Sequence, residues 1–411
     1  MCQSHPRYVQ GAVPSEPTTA VWSWSQPCFS VPLPLWLGLR AERESVAPQP
    51  CWRDTISAQP REILLHLTPH ARFDLIDVVK SVQAQHGDVF TPYRKTLCCS
   101  FHTTAGYLDQ PFCAALGYSE HRLRQFLRIF QQLFPPNAGY GNDCMRLRTE
   151  LSASAKAHEP ANADSHLTFM STGLQNCVTY TNTVPVPIYF IDLDGISPHA
   201  RRTRRTTMLL YNQATVAYRG TFAIPTQPGH PIDALNLRDP QYGLFAHLQH
   251  MIEASDIEHG RIDIRLAPRE RHVWLTVNEY ETLLMRNDLP DVLRDPLRYM
   301  VRHSKALLCH PAAIPAKMRD YALYDLIHLY NEVMDNVQIG RAFLERGLSF
   351  LSGPAARFFR LKRGIELFIA GRGDAGQERI MQGVYQSPIL IQHQQAAHGV
   401  RKLELTLWAF R

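Results

Sequence analysis

Thr96-Leu97-Cys98-Cys99-Ser100-Phe101 runs straight into His102-Thr103-Thr104-Ala105. The first six residues read as a strand, and the strand delivers a histidine and two threonines to its end. Upstream, Arg61-Glu62-Ile63-Leu64-Leu65-His66-Leu67 alternates as a half-buried strand, and Phe73, Leu75, Ile76, Val78, Val79 and Val82 have helical spacing. Downstream, Leu123, Phe126, Leu127, Ile129, Phe130 and Leu133 mark one face of an amphipathic helix, which Pro135-Pro136 closes. Asn162-Ala163-Asp164-Ser165-His166-Leu167 precedes three further strands, at 178–180, 188–193 and 206–211. Strand, helix, strand, helix and then a run of strands predicts an α+β domain with a largely antiparallel sheet.

The second half repeats this grammar. Leu244–Ile252 is again helical, Arg261–Leu266 again a strand, and a further strand reaches Trp274-Leu275-Thr276-Val277-Asn278-Glu279-Tyr280. Residues 383–391 and 402–408 match the closing strands of the first half, with Arg401-Lys402 standing where the first half has Arg204-Arg205. The expected organisation is a disordered leader at 1–58, rich in Pro, Ser, Trp and Gln, then one module at 59–212 and its diverged copy at 213–411. The second copy is expected to carry a helical insertion at about 290–351, with Tyr321, Leu323, Leu326, Ile327, Leu329, Tyr330 and Val333 at helical spacing.

Composition narrows the function. The 411 residues are 45% hydrophobic and 19% charged, as in ordinary globular domains. Lys and Arg exceed Asp and Glu by 43 to 37, a balance that suits a phosphorylated small molecule and, without a basic stripe interleaved with aromatics, argues against nucleic acid. The dense run at 201–205 reads as a strand start. The longest apolar run, 31–39, is short and broken by proline, so no membrane span is expected. The nine cysteines are odd in number and lack C-x-x-C spacing, which fits a reducing, cytoplasmic setting.

At His102-Thr103-Thr104-Ala105 and Asn162-Ala163-Asp164-Ser165-His166-Leu167 the sequence resembles the YjbQ-like family of secondary thiamine-phosphate synthases. That family carries an H-[HT]-T-[SA]-A element on a strand and an acidic or Asn-rich stretch ending in S/A-H-L or S-H-I. The resemblance covers about 61–212. The family's T-x-N-E and G-T-W-Q elements are missing from the first copy, which has Leu108-Asp109-Gln110 and Thr183-Val184-Pro185-Val186 there. The second copy supplies them as Thr276-Val277-Asn278-Glu279 and Gly383-Val384-Tyr385-Gln386, while Glu270-Arg271-His272 replaces its histidine element. The family Glu after the turn is Asp192 in the first copy and Gln392 in the second.

This complementary loss predicts one composite site. The resemblance implies a thiamine-phosphate-synthase-like transferase acting on a phosphorylated heterocycle, in a homo-oligomer with trimer-like assembly of modules. His102, Glu279 and Gln386 are the candidate catalytic residues. Thr103, Thr104, Asn278, Arg204 and Arg205 are candidate substrate-binding residues, and His102, Asp164 and His166 candidate ligands for a divalent zinc, manganese or magnesium ion. Each has a plainer reading: a hydrogen-bonded structural histidine, a helix cap at Asp164, ordinary strand threonines, and exposed strand starts at 204–205 and 401–402. Two other functions remain open: a non-catalytic binding or scaffold protein with a vestigial pocket, and a metal-dependent hydrolase.

Overall fold

The computed structural model describes residues 58–149, 151–197, 200–226, 233–281, 283–294, 359–371, 378–392, 394–396 and 398–411. The expected leader, apart from Ala58, and the helical stripe at 321–333 lie outside the described residues. Among the described residues no helix is long and apolar enough to cross a membrane.

The first half comprises β1 (Arg61–Leu67), β2 (Asp74–Asp77), α1 (Val78–His86), β3 (Lys95–Ser100), β4 (Ala105–Gly106), α2 (Gln110–Ala115), α3 (Glu120–Leu133), α4 (Ala153–His158) and α5 (Ala163–Thr172). It closes with β5 (Cys177–Thr181), β6 (Tyr189–Asp192), the short pair β7 (Ile196–Ser197) and β8 (Ala200–Arg201), and β9 (Arg204–Tyr211). The second half comprises β10 (Ala214–Pro225), β11 (Asp233–Asn236), α6 (Leu244–Ala254), β12 (Gly260–Leu266), β13 (Val273–Asn278), α7 (Leu289–Arg294), β14 (Gly364–Ile369), β15 (Ile380–Met381), β16 (Ser387–Gln392) and β17 (Val400–Phe410). The fold is α+β, and its sheets are antiparallel throughout the described pairings.

Local chemistry sets the element ends. The helical spacing from Phe73 onward is divided by Asp77, whose side chain accepts the Val79 and Lys80 amides and starts α1 there. Leu75 and Ile76, read as helical, instead pair with β6, opposite Ile191 and Phe190. Ser119 caps α3 through the Arg122 amide, and the six apolar residues named for that helix are all buried.

The strand orders of the two halves coincide. The large sheets run β1-β9-β3-β5 and β10-β17-β12-β14-β15, and the small ones β2-β6-β4 and β11-β16-β13. Register matches too: Asp192 lies opposite Asp74 and Ala105, as Gln392 lies opposite Asp233 and Val273. The Phe101 amide bonds to the Arg205 carbonyl, as the Ala267 amide does to that of Lys402. Of the expected insertion at about 290–351, residues 295–351 lie outside the described residues.

The large sheets pack face to face. One face of the first carries Ile63, Leu65, Cys98, Val178 and Met208 against Val78 and Val82 of α1. Its other face carries Leu97, Cys99, Cys177, Leu209 and Tyr211 against Phe368 and Phe410 of the second half. Ile262, Ile264, Leu405 and Leu407 close the far side over Leu248 and Ile252 of α6. The described residues of both halves fall in one compact unit. A third core packs α3 and α5 of the first half on Trp274, Ile389 and Ile391 of the second, and this contact positions the site.

Candidate active site between the halves

Helix α5 is buried along its whole length, as befits a helix held between α3 and β13. Gly173 ends it in the left-handed region at φ 76°, and a Cβ there would crowd the Arg360 carbonyl. Its first turn presents His166, which is 0% exposed, to Asn278 at the end of β13. His166 Nδ1 lies 2.6 Å from Asn278 Oδ1. That oxygen also accepts the Glu279 amide at 2.7 Å, so it is an acceptor, and Nδ1 must donate to it. In the neutral ring Nε2 therefore carries the lone pair. It has no hydrogen-bond partner among the described residues and lies 4.0 Å from Glu279 Oε2.

Glu279 sits in an acidic neighbourhood. Burial, and next the Glu281 and Glu159 carboxylates, push its carboxyl up to about 8, with Arg148 opposing. Glu281 is itself buried, accepting Arg148 Nη2 at 3.1 Å, and Arg148 Nη1 donates to Asn142 Oδ1 at 3.4 Å. Asn278 Nδ2 and Asn142 Nδ2 are buried without a hydrogen-bond partner among the described residues. Unmatched polar atoms on these neighbouring residues are groups that ordered water or a polar ligand would satisfy. A lone-pair nitrogen beside a protonated carboxyl can pass a proton to and from such a ligand.

Glu281, Arg148, Glu159 and Asn142 were not singled out in the sequence. Glu281 was within reach, since period two from Glu279 carries it to the same side as its neighbour. Arg148 and Asn142 lie in irregular chain and gave no signal.

Gln386 joins the halves elsewhere. Its amide nitrogen donates to the Ser100 and His102 carbonyls at 3.0 and 2.9 Å, while its Oε1 accepts the Gly383 amide at 2.8 Å. Asn176 Nδ2 also donates to the His102 carbonyl, at 2.6 Å. Gly383 is required here because a Cβ would collide with the Phe101 carbonyl oxygen. Gln386 thus locks the loop that carries His102, a structural bond in the place of the expected catalytic one.

His102 itself is engaged. Its Nε2 accepts the Arg205 amide at 2.7 Å, and burial together with Arg204, Arg205 and Arg202 holds the ring down to about 3. Thr103 is half-buried, and Thr104 is buried with its carbonyl accepting the Leu193 amide. Arg204, expected either as a substrate-binding residue or as an exposed strand start, is only 3% exposed and bonds Asp192 through Nε at 2.6 Å and Nη2 at 2.8 Å, with Nη2 also on the Asp194 carbonyl. Alternation along β9 turns Arg204 inward and Arg205 outward, where Arg205 lies over the Phe101 ring.

The expected metal set does not assemble. Asp164 is held by Arg72 at 2.8 Å, His102 Nε2 is taken by a backbone amide, and His166 Nδ1 by Asn278. Among the described residues no three His, Cys, Asp or Glu side chains stand as a metal ion needs. The alternative of Asp164 as helix cap also gives way: Asn162 holds the cap position and Asp164 lies within the first turn.

Among solved structures, one described as a YbjQ-like protein of unknown function from Sulfolobus solfataricus P2 is similar over 48% of this chain and 99% of its own, at 12% identity and TM-score 0.25. A hypothetical protein from Aeropyrum pernix K1 is similar over 46% of this chain and 97% of its own, at 11% identity and TM-score 0.22. An uncharacterized conserved protein of the YjbQ family from Clostridium acetobutylicum is similar over 36% of this chain and 98% of its own, at 16% identity and TM-score 0.24. No family model and no curated protein matches the chain.

Proposed function

We propose that the chain is a YjbQ-like small-molecule enzyme of two diverged module copies, with one composite acid–base site where they meet. The carrying observation is the His166–Asn278 bond across the halves, which leaves His166 Nε2 facing Glu279. The duplication is supported by the shared strand orders and by the matched positions Asp192 and Gln392, Arg204 and Arg401, and Arg205 and Lys402.

The charge layout fits a phosphorylated heterocycle. Glu159, Glu279 and Glu281 form an acidic end that favours a neutral or cationic ring nitrogen, and the outward Arg205, with Arg202 paired to Asp194 at 3.0 Å beside it, forms a basic end that favours phosphate. Arg202 links the two, since its charge acts on both Glu159 and His102. His166 and Glu279 then hold and move the proton of a group transfer of the thiamine-phosphate-forming kind. No metal step is included, because the available donors do not fit one. Further association of chains, in the trimer-like manner implied by the family resemblance, belongs to the same reading.

The binding-protein alternative draws on His102 and Gln386, since His102 Nε2 and the Gln386 amide are engaged in structural bonds. Formation of thiamine phosphate from the pyrimidine diphosphate and the thiazole phosphate, measured with wild type, Glu279→Gln and His166→Asn, separates the two. The expected loss on either substitution is about 10²- to 10⁴-fold. Turnover unchanged in both variants overturns the acid–base assignment, and a wild type that neither binds nor converts these substrates favours the binding protein.

A further inference from the structure

Cys99 and Cys177 face each other across β3 and β5, with their sulfurs 3.0 Å apart. Ser100 donates its amide to the Asn176 carbonyl, so the next pair, Cys99 with Cys177, occupies the non-hydrogen-bonded register. Facing Cα atoms there are about 4.5 Å apart, within the span a disulfide bridges. Cys98 points to the opposite face, toward α1, and does not compete.

We infer that Cys99 and Cys177 are a disulfide-forming pair that straps the edge strand β5 to β3 under peroxide. One thiolate attacks the peroxide oxygen, giving a sulfenic acid and one water. The second sulfur then attacks that sulfenic sulfur, the S–S bond forms, and a second water leaves, so two thiols and one hydrogen peroxide give one disulfide and two waters. Both sulfurs lie under Phe368 and Phe410, and burial pushes the Cys99 thiol well above its usual range, so reaction proceeds through transient opening. β5 is one of the two outer strands of its sheet, a place where such opening costs least. The strap would also hold the structural loop at His102. Asn176, beside Cys177, and Ser100, beside Cys99, both anchor the loop that holds His102.

The test uses the full chain, treated with hydrogen peroxide, alkylated in denaturant without reductant, and mapped by mass spectrometry. A linked peptide pair containing Cys99 and Cys177 is expected in wild type and in Cys98→Ala, reversed by dithiothreitol, and absent in Cys177→Ser. Oxidation should also raise the thermal midpoint of wild type, with no rise in Cys177→Ser. Full alkylation of both cysteines in oxidised wild type, a link through Cys98 instead, or a link that forms only in urea-unfolded chain overturns the inference.

Discussion

Where β2, β4 and β6 meet in the first half, Asp192 takes two hydrogen bonds from the Arg204 guanidinium. Where β11, β13 and β16 meet in the second, Gln392 takes one from Arg401, at 3.1 Å. Arg401 spends its remaining charge on Glu270, 2.9 Å away in the loop before β13. The two positions match in strand order and register, yet the first holds a buried ion pair and the second a neutral amide with the counter-charge moved toward solvent. Backbone architecture therefore constrains these positions to a polar pair without dictating its charge. The polar groups at the contact between the halves differ likewise, with His166 on one side and Asn278 and Glu279 on the other.

The comparison breaks most easily at the arginines. Arg204→Met strands Asp192, a 0% exposed carboxylate, and should cost about 3–5 kcal/mol in urea unfolding, whereas Arg401→Met leaves only a neutral amide and a partly exposed Glu270 and should cost about 1–3 kcal/mol. Equal losses would mean that the halves handle the charge alike. Gln386→Ala removes its two hydrogen bonds to the His102 loop and should cost about 1–3 kcal/mol, while the matched Val186→Ala, on a half-buried site with no such bonds, should cost less.

The smallest expected effect is in pH dependence. Glu279 keeps in the folded chain a proton that the unfolded chain releases above the ordinary 4.5. Its contribution to stability is full below 4.5, falls as pH rises, and is lost by about 8, with a slope of at most about 1.4 kcal/mol per pH unit. Glu279→Gln should flatten that part of the stability profile between pH 5 and 8, measured by urea unfolding at a series of pH values; an unchanged slope would remove Glu279 as the proton holder.

Much of this was legible beforehand because it is periodic. The alternation of 61–67, the strand before His102 and the apolar stripe of α3 are local patterns, and the closing strands of the halves can be matched by eye. Arg204 was misread because a basic doublet at a strand start looks solvated, and only the register of β9 shows which of the two turns inward. Spacing along the chain cannot show that Arg72 pairs with Asp164 or that a backbone amide bonds His102.

By itself the sequence determined the α+β class, the repeated element order and the two histidines worth following, since periods of two and 3.6 residues are written between near neighbours. The tertiary structure alone decided which polar groups meet. His166 and Asn278 are far apart in sequence, and their contact exists because α5 packs on β13, a choice made by apolar surfaces that carry no mark of the polar atoms they bring together.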